Sequence, residues 1–318
     1  MPLVDPELAA IAAQLPRSPN TDPERIRTEL RELFQLSGGR PRRSWHDRVT
    51  IERATVPGPD GNTMPIRIYT PTPVPSPRGC LVHFHGGGFI SGDPDVSEDA
   101  VGRYADKAGI TVVDVDYRLA PENPFPAGFD DCYAAFEWTA EHAAELGVDT
   151  ARLAVGGNSA GGGLAAAVAL AARDRAGPTL AFQLLIYPVL DDRLTTQSVR
   201  EMTDTPMWDA PSCVRMWQHY LGDRAGGPDV SPYAAPLRAA DKPDGLTGLP
   251  PAYVLACELD PLRDEDIAYA VALMAAGVSV DLRVAAGTYH GFDEMSAAIS
   301  KRATAEIAAA LRAAIGPP

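Results

Sequence analysis

Residues 152–173 read RLAVGGNSAGGGLAAAVALAAR, and this stretch predicts the fold of the chain. The apolar run Arg152 to Val155 is typical of a buried strand, and Ala160 to Arg173 has the periodicity of a helix. Between them, residues 157–161 form a G-x-S-x-G pattern. At a strand-to-helix junction this pattern makes a tight turn that exposes the serine Oγ above the sheet. Ser159 is therefore a candidate nucleophile, with a glycine-rich packing turn as the alternative.

Strands and helices alternate on both sides of this stretch. The predicted strands are Val49–Ile51, Ile66–Thr70, Cys80–Phe84, Ile110–Val115, Leu180–Tyr187, Ala252–Cys257 and Val278–Val284, and helical spacing recurs over Leu8–Leu15, Ile26–Phe34, Ala127–Leu146, Ser212–Leu221, Asp264–Ala275 and Ala303–Ala314. Such alternation predicts an α/β fold with a mostly parallel sheet and helices on both faces.

The alternation is interrupted between Asp191 and Leu249, in a proline-containing stretch with one clear helix. We interpret it as an insertion over the carboxyl edge of the sheet, where open α/β sheets bind ligands. The predicted division is an N-terminal helical part of a cap (residues 1–45), a core (residues 46–190 and 246–318) and a cap insertion (residues 191–245).

Composition narrows the class of protein and its partners. The chain has 318 residues, of which 45% are hydrophobic and 22% charged, as in ordinary folded proteins. Its formal net charge of −14 repels phosphate backbones and anionic membranes, so neither nucleic acid nor a membrane is an expected partner. The start of the chain lacks the features of a signal peptide, which predicts a cytoplasmic protein. The four cysteines lack metal-site or C-x-x-C spacing and are expected to be buried thiols.

A second motif, residues 83–89 with the sequence HFHGGGF, directly follows a predicted strand. Successive glycines let backbone amides approach a bound oxygen without obstruction, as an oxyanion hole requires. The alternative is a metal pair made by His83 and His85, but no third ligand follows at a defined spacing.

A serine nucleophile requires a base and an acid that orients the base. His290 follows the last predicted strand and is expected at the same sheet edge as Ser159, whereas the histidines at other places are interpreted as surface or packing residues: His46, His142 and His219. Asp260 falls just past the preceding strand and is the preferred acid. Glu258 lies two residues earlier and stays an alternative, while Asp264 and Glu265 are expected to begin a helix.

The order Ser159, Asp260, His290 is the chain order of α/β-hydrolases. The sequence resembles the hormone-sensitive lipase family of esterases, also called bacterial lipolytic family IV. The resemblance covers about residues 80 to 292, through the segments His85–Gly88, Asp116–Glu122, Gly157–Gly162, Tyr187–Asp191, Leu249–Ala252, Asp260–Glu265 and Tyr289–Phe292.

This resemblance implies an eight-stranded α/β-hydrolase core with a helical cap, and Ser159, Asp260 and His290 as the catalytic triad. It also implies that the backbone amides of Gly87, Gly88 and Ala160 form the oxyanion hole. One position departs from the family, which usually has aspartate before the nucleophile where this chain has Asn158. We expect the change to alter hydrogen bonding and pH behaviour in the pocket without removing activity.

The expected function is a serine carboxylesterase acting on small, uncharged, short-acyl esters. Alternatives are hydrolysis of an amide, lactone or carbamate, or a non-catalytic receptor like the plant gibberellin receptors. Those receptors resemble the family but lack the catalytic histidine, which is present here as His290. Two interpretations remain open for four aromatic residues, which either line the substrate pocket or pack in the core: Phe89, Tyr187, Trp208 and Trp217.

No metal or organic cofactor is expected. Residues 161–166 fit a loose dinucleotide-binding pattern, but its first glycine already lies inside the predicted helix, and the next strand lacks the acidic residue that such sites use. The resemblance also suggests a homodimer, since members of the family often pair through the last strand and helix.

Overall fold

The computed structural model describes residues 3–15, 22–28 and 44–317, and these residues form the predicted α/β-hydrolase fold. Its eight strands are β1 Val49–Pro57, β2 Thr63–Pro71, β3 Arg78–Phe84, β4 Thr111–Val115, β5 Val148–Asn158, β6 Phe182–Ile186, β7 Ala252–Leu259 and β8 Val280–Tyr289. They form one sheet in the order β1-β2-β4-β3-β5-β6-β7-β8. The pairs β1–β2 and β2–β4 are antiparallel, and all other neighbours are parallel.

Helices cover the sheet on both faces. They are α1 Pro6–Ala12, α2 (residues 23–28), α3 Pro94–Tyr104, α4 Ala127–Glu141, α5 Ala143–Leu146, α6 Ala160–Asp174, α7 Gln197–Glu201, α8 Ala210–Leu221, α9 Arg263–Ala275 and α10 Ala298–Ile315. The remainder of the helix predicted over Ile26–Phe34 lies outside the described residues. The division of the chain into cap and core stays a prediction.

Alternation along the strands builds two hydrophobic clusters, one on each face of the sheet. On β3, Leu81 belongs to the cluster that contains residues of α3 and α10, whereas Val82 belongs to the cluster with α4, α6 and α9. This is the period of two expected when both faces of a strand are covered. The central strands β4 and β6 are buried over their full length.

The helix that follows Ser159 is exceptional in its burial. Every residue of α6 from Ala160 to Ala172 is buried, and most of them are alanine or glycine. Such small side chains let α6 approach both the sheet and α4, which packs against it.

Three helical details differ from the sequence-based expectations. Helix α3 was not predicted, and Gly102 in its last turn lowers helix propensity. The structure requires that glycine, since a Cβ atom there would collide with the buried indole of Trp45.

The predicted helix over Ala127–Leu146 is divided in two. It ends at Glu141 and resumes at Ala143, and between them the Nδ1 atom of His142 lies 2.9 Å from the Trp138 carbonyl oxygen. Within the described residues, the stretch between β6 and β7 also contains α7 as a second α-helix.

The four cysteines are buried and free, as predicted. In the part of the chain that the structure describes, no helix is both long and apolar enough to cross a bilayer.

Candidate active site

The candidate nucleophile Ser159 lies in a strained turn between β5 and α6. Its backbone has φ 57° and ψ −123°, a conformation that costs a residue with a side chain roughly 1–3 kcal/mol. Neighbouring backbone groups hold it there. The Ser159 amide donates to the carbonyl oxygen of Ile186 at 2.8 Å, and the Ser159 carbonyl accepts from the amide of Val189 at 3.1 Å. The end of β6 therefore fixes the turn that carries the serine.

The glycines of this turn are required by close approach of the backbone. A Cβ atom on Gly157 or on Gly161 would collide with the carbonyl oxygen of Phe84, at the end of β3. Alanine at either position would push β3 away from the start of α6. The G-x-S-x-G pattern thus predicts the turn correctly.

The side chains of His290 and Asp260, from two other strand ends, form a hydrogen-bonded series with Ser159. The Nε2 atom of His290 lies 2.9 Å from the Ser159 Oγ, and the Nδ1 atom of His290 lies 2.6 Å from the Oδ2 atom of Asp260. A carboxylate only accepts hydrogen bonds, so the proton of a neutral imidazole belongs on Nδ1 and leaves Nε2 able to accept from the serine. The second oxygen of Asp260 accepts from the Leu262 amide at 3.0 Å.

Glu258, the alternative acid, has a different partner. Its Oε2 atom accepts a hydrogen bond from the backbone amide of Gly287 at 2.7 Å, near the end of β8 and three residues before His290. The carboxylate beside the imidazole is that of Asp260. Asp264 and Glu265 lie in the first turn of α9, as expected.

The glycine loop, residues 86–91, lies directly against the nucleophile turn. A Cβ atom on Gly86 would lie 3.0 Å from the Asn158 amide nitrogen Nδ2, which places the side chain of Asn158 beside this loop. Within the described residues, the backbone amides of Gly87, Gly88 and Ala160 have no hydrogen-bond acceptor. They are therefore available to donate to a bound oxygen.

His85 and Tyr117 contact each other at the start of the glycine loop. The Nδ1 atom of His85 lies 2.8 Å from the Gly86 carbonyl, to which it donates, and the ring stacks on Tyr117 with 4.2 Å between centroids. The Tyr117 hydroxyl donates to the His85 carbonyl at 2.8 Å. Burial lowers the pKa of His85, which favours the neutral form of its ring. His83 has another partner, since its Nδ1 atom lies 2.7 Å from Asp114. The two histidines thus have structural contacts of their own.

The four aromatic residues that the sequence left open, as pocket or core residues, lie in different places in the structure. Trp208 lies at the site, with its ring centroid 5.8 Å from that of His290 and its Cη2 atom 2.9 Å from where a Cβ atom on Gly88 would be. Tyr187 packs beside His290 at 4.6 Å and donates its hydroxyl to Asp293 at 2.7 Å. Phe89 and Trp217 are buried in the hydrophobic cluster, and Phe89 stacks on Tyr220 at 3.9 Å.

The burial of two carboxyl groups near the site was not predicted from the sequence. Glu265 accepts hydrogen bonds from the amides of Leu190 and Asp191 at 2.7 and 3.1 Å, so it links α9 to the segment that follows β6. Asp266 is fully buried, and neither of its oxygens has a hydrogen-bond partner among the residues that the structure describes. Burial, with the charge of Asp260 second, raises its pKa well above the usual value for an aspartate. Asp266 is one of three acids in the first turn of α9, and no local pattern indicates that it is buried.

We expect Asp266→Asn to stabilise the protein at alkaline pH. An acid whose pKa is raised on folding makes the fold less stable as pH rises above its unfolded pKa near about 4, because the folded state must keep the proton or bear a buried charge. Asparagine has the same shape and does not titrate. Urea unfolding should give a gain in the free energy of unfolding at pH 8, on the order of 1 kcal/mol as for a typical point substitution, that shrinks toward pH 5.

The matched control is Asp281→Asn, at an exposed position on β8. It should change the free energy of unfolding little and equally at both pH values. An equal effect of Asp266→Asn at pH 5 and pH 8 would contradict the assignment of a raised pKa to this group.

Comparison with known proteins identifies the class of protein to which this chain belongs. A family model of the alpha/beta hydrolase fold matches residues 81–294. The carboxylesterase NlhH of Mycobacterium tuberculosis is 42% identical over 271 residues, which cover 84% of this chain and 83% of that protein. The ethyl acetate hydrolase of Pseudomonas putida is 37% identical over 248 residues, or 76% of this chain and 75% of that protein. The structure of a bacterial heroin esterase has a TM-score of 0.93 and 44% identity, and the match covers 99% of this chain and 98% of that one.

These matches place the chain among the α/β-hydrolases. It belongs to the hormone-sensitive-lipase-like family of that fold, and it is a carboxylic-ester hydrolase.

Proposed function

We propose that this protein is a serine esterase that hydrolyses small, uncharged, short-acyl esters through Ser159, His290 and Asp260. One observation carries the proposal: the hydrogen-bonded series from the Ser159 Oγ through His290 to Asp260, set beside the free amides of the glycine loop. A nucleophile bonded to a base, with the base oriented by an acid, is the arrangement that nucleophilic acyl transfer requires.

The first half of the reaction acylates the serine. His290 Nε2 takes the proton of Ser159 while the Oγ attacks the ester carbonyl carbon, and Asp260 stabilises the resulting imidazolium. The imidazolium then gives its proton to the leaving alcohol as the carbon–oxygen bond of the ester breaks. In the second half, His290 activates a water that attacks the acyl-enzyme, which releases the acid and restores the serine.

The negative charge that develops on the carbonyl oxygen requires donors already in place. The amides of Gly87, Gly88 and Ala160 fill this role in the proposal. Ala160 is also the first residue of α6, so the positive end of that helix dipole favours the oxyanion. Removing one such donor typically costs about 10²–10³ in kcat.

Limited access to the triad supports a small substrate. Ser159 is 5% exposed and His290 7%, and Trp208 contacts the region between the base and Gly88. The net charge of −14 disfavours anionic esters at long range. Among the relatives, the Pseudomonas putida protein is an ethyl acetate hydrolase, which agrees with a short acyl group.

The test is hydrolysis of p-nitrophenyl esters from acetate to palmitate by the purified full-length protein. The proposal expects kcat/KM to be greatest for acetate to butyrate and to fall steeply for longer chains. A maximum at palmitate would contradict the short-acyl assignment. Turnover of amides or lactones in preference to every ester tested would move the reaction to another acyl bond.

Trp208→Ala should relax this chain-length preference. Removal of the indole opens space beside Gly88 and His290, and each methylene accommodated in an apolar pocket is worth about 1–3 kcal/mol in discrimination. We expect the ratio of kcat/KM for octanoate to that for acetate to rise about 10-fold or more. The matched control is Trp138→Ala, since Trp138 packs on His142 away from the site. An unchanged ratio in Trp208→Ala, with the protein folded, would exclude Trp208 from the pocket wall.

A further inference from the structure

The glycine loop contains one residue, Phe89, whose backbone conformation a side chain disfavours. Gly87, Gly88 and Phe89 have φ values of 122°, 62° and 62° in succession. Phe89 is not a glycine, so its left-handed conformation persists only where surrounding contacts hold it. The candidate oxyanion donors Gly87 and Gly88 immediately precede this residue. Their direction therefore depends on what fixes the loop.

Part of that support comes from the loop and the segment beside it. The Gly87 carbonyl accepts hydrogen bonds from the amides of Ile90 and Ser91 at 3.2 and 3.0 Å and from the Ser91 hydroxyl at 2.8 Å. The Ala120 amide donates to the Phe89 carbonyl at 2.9 Å. These bonds leave the carbonyl oxygens of Ile90 and Ala120 to be paired from elsewhere.

A single side chain from α2 pairs both of them. The Nε atom of Arg27 donates to the Ile90 carbonyl at 2.7 Å, and its Nη2 atom donates to the Ala120 carbonyl at 3.0 Å. A guanidinium presents its donors in one rigid plane, so these two bonds fix the distance between the glycine loop and the segment of Ala120. Arg27 joins residues that lie 63 and 93 positions away in the chain.

The same guanidinium also makes ion pairs with two glutamates. Arg27 contacts both carboxylate oxygens of Glu122 at 2.7 and 3.1 Å, and its Nη1 atom contacts Glu24 of the same helix at 2.6 Å. The Arg27 side chain is 14% exposed, whereas that of Glu122 is 53% exposed. The bonds to the two carbonyls are thus the sheltered part of the cluster, and the ion pair with Glu122 is at its surface.

We propose that Arg27 is a positioning residue for the oxyanion hole, which holds the glycine loop in its active conformation only while α2 is docked on the core. The inference rests on the proposed function, because it assigns the amides of this loop to the transition state. Arg27 itself touches none of the reacting groups in this assignment. Its effect passes through the carbonyls of Ile90 and Ala120.

Such a role predicts a loss in kcat without a matching change in KM. The ground-state ester binds mainly in the pocket, whereas the loop amides act most strongly on the oxyanion of the transition state. A displacement of about 1 Å in a positioning group can cost about 10²-fold in rate. We therefore expect Arg27→Ala to lower kcat on p-nitrophenyl acetate about 10- to 100-fold, with KM within about 3-fold of the wild type.

Two further variants distinguish two roles of Arg27: positioning the glycine loop, and simply attaching α2 to the core. Arg27→Lys keeps a positive charge beside Glu122, but one ammonium group lacks the planar fork that bridges two carbonyls. It should lose at least about 5-fold in kcat while its melting temperature stays near that of the wild type. Glu122→Gln removes the ion pair but leaves both carbonyl bonds of Arg27, so its kcat should stay within about 2-fold of the wild type.

The experiment measures kcat, KM and thermal melting for the wild type, the three variants and Ser159→Ala, all as full-length protein. The expected pattern is a kcat loss in both Arg27 variants and none in Glu122→Gln. The proposal is overturned if Arg27→Ala keeps its kcat, or if Glu122→Gln loses as much as Arg27→Ala, which would indicate anchoring through the ion pair. If Arg27→Ala does not fold, Arg27→Lys decides: wild-type kcat in that variant overturns the proposal. The Ser159→Ala arm keeps the two hypotheses distinct, because activity that survives it rejects the proposed function itself.

Discussion

Replacing Ser159 by alanine should lower kcat for p-nitrophenyl acetate by at least about 10⁴-fold, because no acyl-enzyme can form without the Oγ. The remaining rate would come from substrate binding and the oxyanion donors, which do not depend on the serine side chain. The variant should stay folded, since the Ser159 backbone bonds to Ile186 and Val189 are unaffected by loss of the hydroxyl. Steady-state kinetics and a thermal melt measure both expectations.

The matched control for this variant is Ser76→Ala. Ser76 precedes β3 at the opposite, amino end of the strand, where its hydroxyl donates to the Gly147 carbonyl at 3.1 Å. Its kcat should stay within about 2-fold of the wild type. Comparable activity in Ser159→Ala and the wild type would mean that another group is the nucleophile.

The second large effect is expected for Asp260→Asn. An asparagine can donate its amide N–H to Nδ1 of His290, which favours the tautomer that carries the proton on Nε2. That tautomer cannot accept the proton of Ser159, so kcat should fall about 10⁴-fold while KM changes little. Because Asp260 also accepts from the Leu262 amide, a melt should be recorded to show that the variant is folded.

Glu258→Gln provides the comparison that isolates the acid. A glutamine Oε1 atom can still accept from the Gly287 amide, so the contact with the end of β8 before His290 is retained. Its kcat should fall less than about 5-fold. A larger loss in Glu258→Gln than in Asp260→Asn would reverse the assignment of the orienting acid.

Much of the site was predictable because its residues follow strands. Ser159, Asp260 and His290 each follow a predicted strand by a few residues, and the carboxyl ends of parallel strands meet at one edge of the sheet. Their mutual hydrogen bonds at 2.9 and 2.6 Å agree with that expectation. The glycine loop was predictable for the same reason, since it follows β3.

The features that sequence reasoning missed depend on contacts between distant parts of the chain. Helix α3 contains Gly102 because Trp45 packs there, and no local pattern records that contact. Asp266 has the appearance of an ordinary first-turn acid, but the packing of α9 buries it. In the sequence, Arg27 resembles any charged residue on an amphipathic helix. Its hydrogen bonds to the carbonyls of Ile90 and Ala120 become evident only in the folded structure.

The burial of α6 makes the geometry at Ser159 depend on the packed core. A helix of alanine and glycine whose residues from Ala160 to Ala172 are all covered has no polar face to present to water. It is therefore stabilised mainly by the packing of β5 and α4 around it. Because the turn of Ser159 joins β5 to this helix, a chain whose core is not packed would contain the serine without the hydrogen-bonded neighbours that surround it in the fold.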